Sequence, residues 1–209
     1  MHRKIGRTIA AAIIATIASA AFASTASAGL LTASAPSCDD GAITQPFARW
    51  GDRAGYKLLG DGGFESGARG WTLSGGASVA SGNESFDVRD SADSRSLVLP
   101  AGSSATSPFT CLGLAEPTLR LFAKRRSGLL TTLGVEIQVQ TSLGLSLWLP
   151  VLPGDLGGSS WHPTLPMPLL ANILPLSQSD RTPVRFRFRP LLLGSWQIDD
   201  VYVDPMSRH

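Results

Sequence analysis

After Tyr56 the chain alternates apolar and polar positions with a period of two, in runs of four to eight residues broken by Gly, Ser, Asp and Pro. That period belongs to half-buried strands, and many such runs at short spacing predict an all-β sandwich. Strands are expected at Trp71–Leu73, Ala77–Ala80, Ser85–Val88, Ser96–Leu99, Ala105–Thr110, Thr118–Lys124 and Gly134–Gln140. Others are expected at Leu145–Val151, Pro168–Leu174, Pro183–Arg189 and Ser195–Val203. No helical periodicity follows the N-terminal segment. Leu152 to Pro168, with its prolines and a Gly-Gly, reads as a long variable loop. The alternation also sorts faces. Val135, Ile137 and Val139 oppose Glu136, Gln138 and Gln140; Val184, Phe186 and Phe188 oppose Arg185, Arg187 and Arg189. Leu119, Leu121 and Ala123 oppose Arg120 and Phe122, and Leu145, Leu147 and Leu149 oppose Trp148. Each apolar set belongs in the core, since a one-residue slip would bury its charged or polar partners instead.

The first 28 residues break this pattern. Arg3, Lys4 and Arg7 precede an Ala/Ile-rich run, and Ala26-Ser27-Ala28 fits a cleavage site, so residues 1–28 read as a secretory signal peptide. The expected location is therefore extracellular. The chain carries 18 Lys+Arg against 16 Asp+Glu, and removing three basic residues with the signal leaves 15 against 16. A near-neutral chain supplies no field for nucleic acid, and no later segment predicts membrane insertion. Residues 29–55 form an N-terminal arm whose Phe47 and Trp50 are expected to pack on the sandwich, which occupies residues 56–205.

Two cysteines in an exported chain suggest one disulfide, Cys38 to Cys111, tying the arm to the sandwich. A lipid-modified Cys38 is the competing reading, with Ala35-Pro36-Ser37 a poor lead-in for it. Trp71 and Trp196 read as core residues, whereas Trp148 falls on a polar face. There an indole can serve as a flat platform for a sugar ring, or it can pack beneath the Pro-rich loop. Arg185 and Arg187, with Arg189, form a stripe that is either a solvated strand face or a row of forks for sugar hydroxyls and uronate carboxylates. Gln138, Gln140, Glu136 and Arg120 could complete such a surface, provided they lie on the same sheet. No enzyme is expected. His162 precedes a proline, no Gly-x-Ser-x-Gly elbow is present, and Glu136 with Asp155 makes an unsupported carboxylate pair.

The segment GDGGFESGARGW (Gly60–Trp71), answered by WQIDDVYVDP (Trp196–Pro205), resembles the bacterial β-sandwich carbohydrate-binding modules of the galactose-binding-domain-like superfamily. The resemblance implies a single jelly-roll sandwich of two antiparallel sheets. It also implies a structural calcium ion near Glu65 and the Asp199-Asp200 pair, with Asp199 favoured because alternation places it with Val201 and Val203. The function it implies is non-catalytic binding of a polysaccharide or cell-surface glycan. A structural or adhesion sandwich without sugar recognition is the alternative.

Overall fold

The computed structural model describes residues 41–113, 117–140, 146–169 and 181–204. The strands are β1 (Ile43–Thr44), β2 (Tyr56–Leu58), β3 (Thr72–Ser74), β4 (Ser78–Ser81), β5 (Arg95–Leu99), β6 (Ser104–Thr106) and β7 (Thr110–Gly113). They continue as β8 (Thr118–Ser127), β9 (Thr132–Gln140), β10 (Ser146–Asp155), β11 (His162–Pro163), β12 (Met167–Pro168), β13 (Arg181–Leu191) and β14 (Ser195–Asp204). All pairings among them are antiparallel, and they form two sheets of eight and six strands. The protein is a β-sandwich.

In the eight-stranded sheet β14 is the hub. It pairs with β8 along one edge and with β5 and β2 along the other. β4 and β1 extend the two arms, while β11 and β12 add to the far edge of β8. The six-stranded sheet runs β10-β9-β13-β6-β3, with β7 alongside the first half of β13. The inner faces meet in one apolar core. Val135, Ile137, Phe186 and Phe188 come from one sheet; Leu97, Leu119, Leu121, Trp196 and Ile198 come from the other. Period-two sequences supply those side chains because alternate residues of a strand point to opposite faces.

The Gly60–Trp71 turn locks directly onto β14. Leu59 N–H donates to Val201 O (2.9 Å), and Val201 N–H donates to Gly62 O (3.0 Å). Gly62 is required by this approach, since a Cβ there would lie 2.9 Å from Val201 O. Phe64 is fully buried against Trp71, their rings 5.0 Å apart, and the Trp71 indole donates to Gly60 O at 2.8 Å.

A second apolar cluster lies on the outer face of the eight-stranded sheet. Phe47 stacks on Phe122 (5.4 Å) and meets Tyr56 and Tyr202 edge-on, with Trp50, Phe86 and Trp161 around them. The arm therefore packs on the sandwich as expected, and it also contributes β1.

Several expectations need correction. Ser85–Val88 is a turn rather than a strand, because the buried Glu84 carboxylate takes the Phe86 and Val88 N–H groups (2.5 and 2.7 Å) that a ladder would have used. Ala105–Thr110 is split into β6 and β7 around Pro108, which has no N–H to donate. Leu147 is 47% exposed rather than in the core, since β10 is an edge strand whose first residues run beyond it. The Leu152–Pro168 loop is more ordered than its composition suggested: β10 continues through a bulge to Asp155, and β11 and β12 follow. Pro168–Leu174 lies largely outside the described residues.

Candidate functional site

The arm and the 82–94 segment cover the outer face of the eight-stranded sheet, so the polar outer face of the six-stranded sheet is the surface left for a ligand. Directly opposed residues share a face, which sets two parallel rows. One runs Trp148, Gln138, Arg185 across β10, β9 and β13. The next runs Pro150, Glu136, Arg187, Thr106, Thr72 across all five strands. At the usual strand spacing the first row spans roughly 10 Å and the second roughly 20 Å.

Trp148 is half-buried. The Arg187 guanidinium sits 4.1 Å from its ring centroid and that of Arg185 6.0 Å, so the indole is held by cation–π contact. Arg185 Nε donates to the buried Gln138 Oε1 and its guanidinium lies 5.0 Å from the Phe109 ring. Glu136 binds two arginines, Arg187 Nε at 2.6 Å and Arg189 Nη2 at 3.1 Å. Two arginines thus share one carboxylate while Arg185 is held by a neutral amide, and the strip keeps a positive surplus. Beyond Arg187 the face carries hydroxyls, with Ser74 and Ser104 hydrogen-bonded at 2.8 Å. Beside Glu136 and Arg189 a shallow pocket of about 90 Å³ is lined by Pro150, Leu152 and Pro153.

Four of the five residues expected at a ligand surface therefore lie together: Trp148, Gln138, Arg185 and Arg187. Arg120 does not join them. It sits on β8 in the opposite sheet, buried, with its guanidinium over the Phe47 ring (4.1 Å) and paired with Asp52 (2.5 Å). Alternation correctly predicts that it faces outward but cannot say from which sheet. Phe109 is an addition that the sequence signals only weakly, as an aromatic placed after a proline at a strand break.

The expected calcium ligands are placed differently from the sequence reading. Glu65 Oε1 accepts the Ser94 and Arg95 N–H groups (2.9 and 2.8 Å), pinning the start of β5. Asp199 accepts N–H from Glu84 (3.0 Å) and Asp200 (2.9 Å). A bulge between Asp199 and Tyr202, with Asp200 at φ +46°, shifts the phase of β14. Asp199 consequently pairs opposite the outward Phe122 instead of sharing the inward face of Val201 and Val203. The open carboxylate is Asp200, fully buried with neither oxygen hydrogen-bonded, and with Arg89 Nε 3.6 Å away. Arg89 also pairs with Asp93 at 2.5 Å. Among the described residues no group of three or more His, Cys, Asp or Glu is arranged to hold a metal. Glu65 and Asp199 each spend part of their lone pairs on backbone N–H groups, whereas both oxygens of Asp200 are free of hydrogen bonds. Burial, reinforced by Asp200, pushes Asp199 up to about 9. Burial also pushes Asp200 up to about 7, against the pull of Arg89.

Asp155, once paired in expectation with Glu136, instead binds His162 Nε2 at 2.8 Å, and this bond raises the imidazole pKa. Cys111 is buried on β7 and is not a free thiol; Cys38 lies outside the described residues.

No family model matches this chain, and no curated protein matches it. Solved structures do, and they include carbohydrate-binding modules. The tandem family 22 modules of Paenibacillus barcinonensis Xyn10C align at 13% identity and TM-score 0.48, over 73% of this chain and 46% of that one. This chain thus spans about half the length of that structure. The C-terminal family 22 module of Clostridium thermocellum Xyn10B aligns at 16% identity and TM-score 0.46, over 69% and 90%. TmCBM61, solved with β-1,4-galactotriose, aligns at 15% identity and TM-score 0.40, over 71% and 98%. The sandwich assignment itself rests on the strand pairing and shared core described above.

Proposed function

We propose that this protein is a secreted, non-catalytic binding module for polysaccharide. One observation carries the reading: an indole, Trp148, held on the outer face of the six-stranded sheet beside Gln138, Arg185 and Arg187. Aromatic planes offer an apolar surface to the C–H face of a pyranose, and planar guanidinium forks match hydroxyl pairs and carboxylates. The surplus of arginine over Glu136 favours chains that carry uronates. Secretion is supported by the signal-like first 28 residues.

The test is retention of the mature protein on neutral and uronate-containing polysaccharides, compared with Trp148→Ala. The variant is expected to lose about 1–3 kcal/mol of binding, the scale of a lost stacking platform, while its melting temperature changes little. Failure of the wild-type protein to bind any member of the panel would sink the proposal.

Two subsidiary proposals accompany it. The Cys38–Cys111 disulfide should appear as one linked peptide pair in unreduced mass spectrometry, and two alkylatable thiols in the secreted protein would end it. A structural calcium ion at the edge formed by Glu65, Asp199 and Asp200, with Asp200 as its open carboxylate, should raise the melting temperature, and an unchanged melting curve in chelator would remove it.

A further inference from the structure

We infer that the β8–β9 and β13–β14 turns, each of which crosses from one sheet to the other, form a docking edge for an anionic lipid surface, into which their leucines insert. The inference is independent of the polysaccharide reading. Turn positions ordinarily carry Gly, Asn, Asp or Ser. Here they carry Leu129 and Leu130, 86% and 83% exposed, and Leu192 and Leu193, 71% and 90% exposed. The two tips are packed side by side. Thr131 Oγ1 donates to Leu191 O at 2.7 Å, Ser127 and Ser195 hydroxyls meet at 2.8 Å, and a Cβ on Gly128 would collide with the Leu193 carbonyl. The leucines therefore project together from one end of a rigid sandwich. Leu152, 71% exposed, extends the patch beside Leu191.

The charge around the tips selects the occupant. Arg125 donates its Nη1 to Leu129 O (3.0 Å), which fixes a guanidinium at the base of the first tip, and Arg126 beside it is exposed. Neither pairs with an acidic side chain among the described residues. The acids on the neighbouring strands are engaged elsewhere, Glu136 by Arg187 and Arg189 and Asp155 by His162. Apolar points in a basic collar complement acyl chains below anionic headgroups. Projecting tips make a poor match for a second copy, which needs a flat area of about 800 Å² per partner.

The experiment is co-sedimentation of the mature protein with phosphatidylglycerol/phosphatidylcholine vesicles and with phosphatidylcholine alone. Binding is expected to the anionic vesicles and to weaken in salt. The L130S/L193S double variant should bind about tenfold less or worse with an unchanged melting temperature and unchanged polysaccharide retention. The R126Q variant should lower affinity for the anionic vesicles alone. No sedimentation of wild type with anionic vesicles overturns the inference. So does equal binding by L130S/L193S, or a wild-type dimer that the same variant dissociates without any vesicle binding.

Discussion

The most consequential single residue in the eight-stranded sheet is Asp200. Its carboxylate is buried in full, lacks hydrogen bonds and relies on Arg89 at 3.6 Å for compensation. With Asp199 beside it, two adjacent carboxyls hold protons far above their ordinary range, at about 7 and about 9. The native state then binds more protons than the unfolded chain between pH 4 and 9, so stability must fall as pH rises through that window. The melting temperature in chelator should drop by several degrees between pH 5 and pH 9, and Asp200→Asn should flatten the lower part of the slope. A melting temperature that rises with pH would contradict the burial that defines this pair. Saturating calcium at Asp200 would hold the carboxylate ionised and flatten the slope in the wild type as well. The pair is legible in the sequence, but the bulge that decides which carboxylate is open is not. Two consecutive aspartates look the same in sequence whether a strand runs straight or bulges, and alternation has no way to mark the inserted residue.

At the scale of elements, legibility tracked length and chemical contrast. β9 and β13 were readable because three aliphatic or aromatic residues alternate with three charged or polar ones in each, and the same contrast set the Trp148 surface. β11 and β12 are two residues long, too short for any period to show. The Ser85–Val88 turn mimics a strand in pattern, and only the tertiary placement of Glu84 decides otherwise. The arm was legible through its composition: Phe47 and Trp50 made a free tail implausible. Phe47 has no exposed surface and touches Tyr56, Phe122 and Tyr202. Phe47→Ala is therefore expected to cost about 3–5 kcal/mol in urea unfolding, within the range for buried aromatics. A loss below about 1 kcal/mol would mean that the arm is an ornament on the sandwich. Ligand binding at Trp148, two layers away, should survive the change.

For the whole molecule, the two sheets have divided labour. The outer face of one is sealed by the arm and the 82–94 segment, which turns it into a second small core; the outer face of the other keeps its polar rows. Alternation separates inward from outward along β8, β9 and β13, yet it cannot assign strands to sheets, so it does not show that Arg120 lies away from Trp148. The position of β14 has a further consequence. The strand at the centre of the eight-stranded sheet comprises residues 195–204, later in the chain than every strand it joins. Until those residues leave the ribosome, β2, β5 and β8 have no common neighbour, and half of the core has no floor. Closure must wait for pairings more than 100 residues apart, such as Ile198 with Leu97, and contacts so distant in sequence make for slow folding. A nascent chain ending before Ser195 therefore lacks the strand that joins β2, β5 and β8, and its apolar core stays open to water on that side.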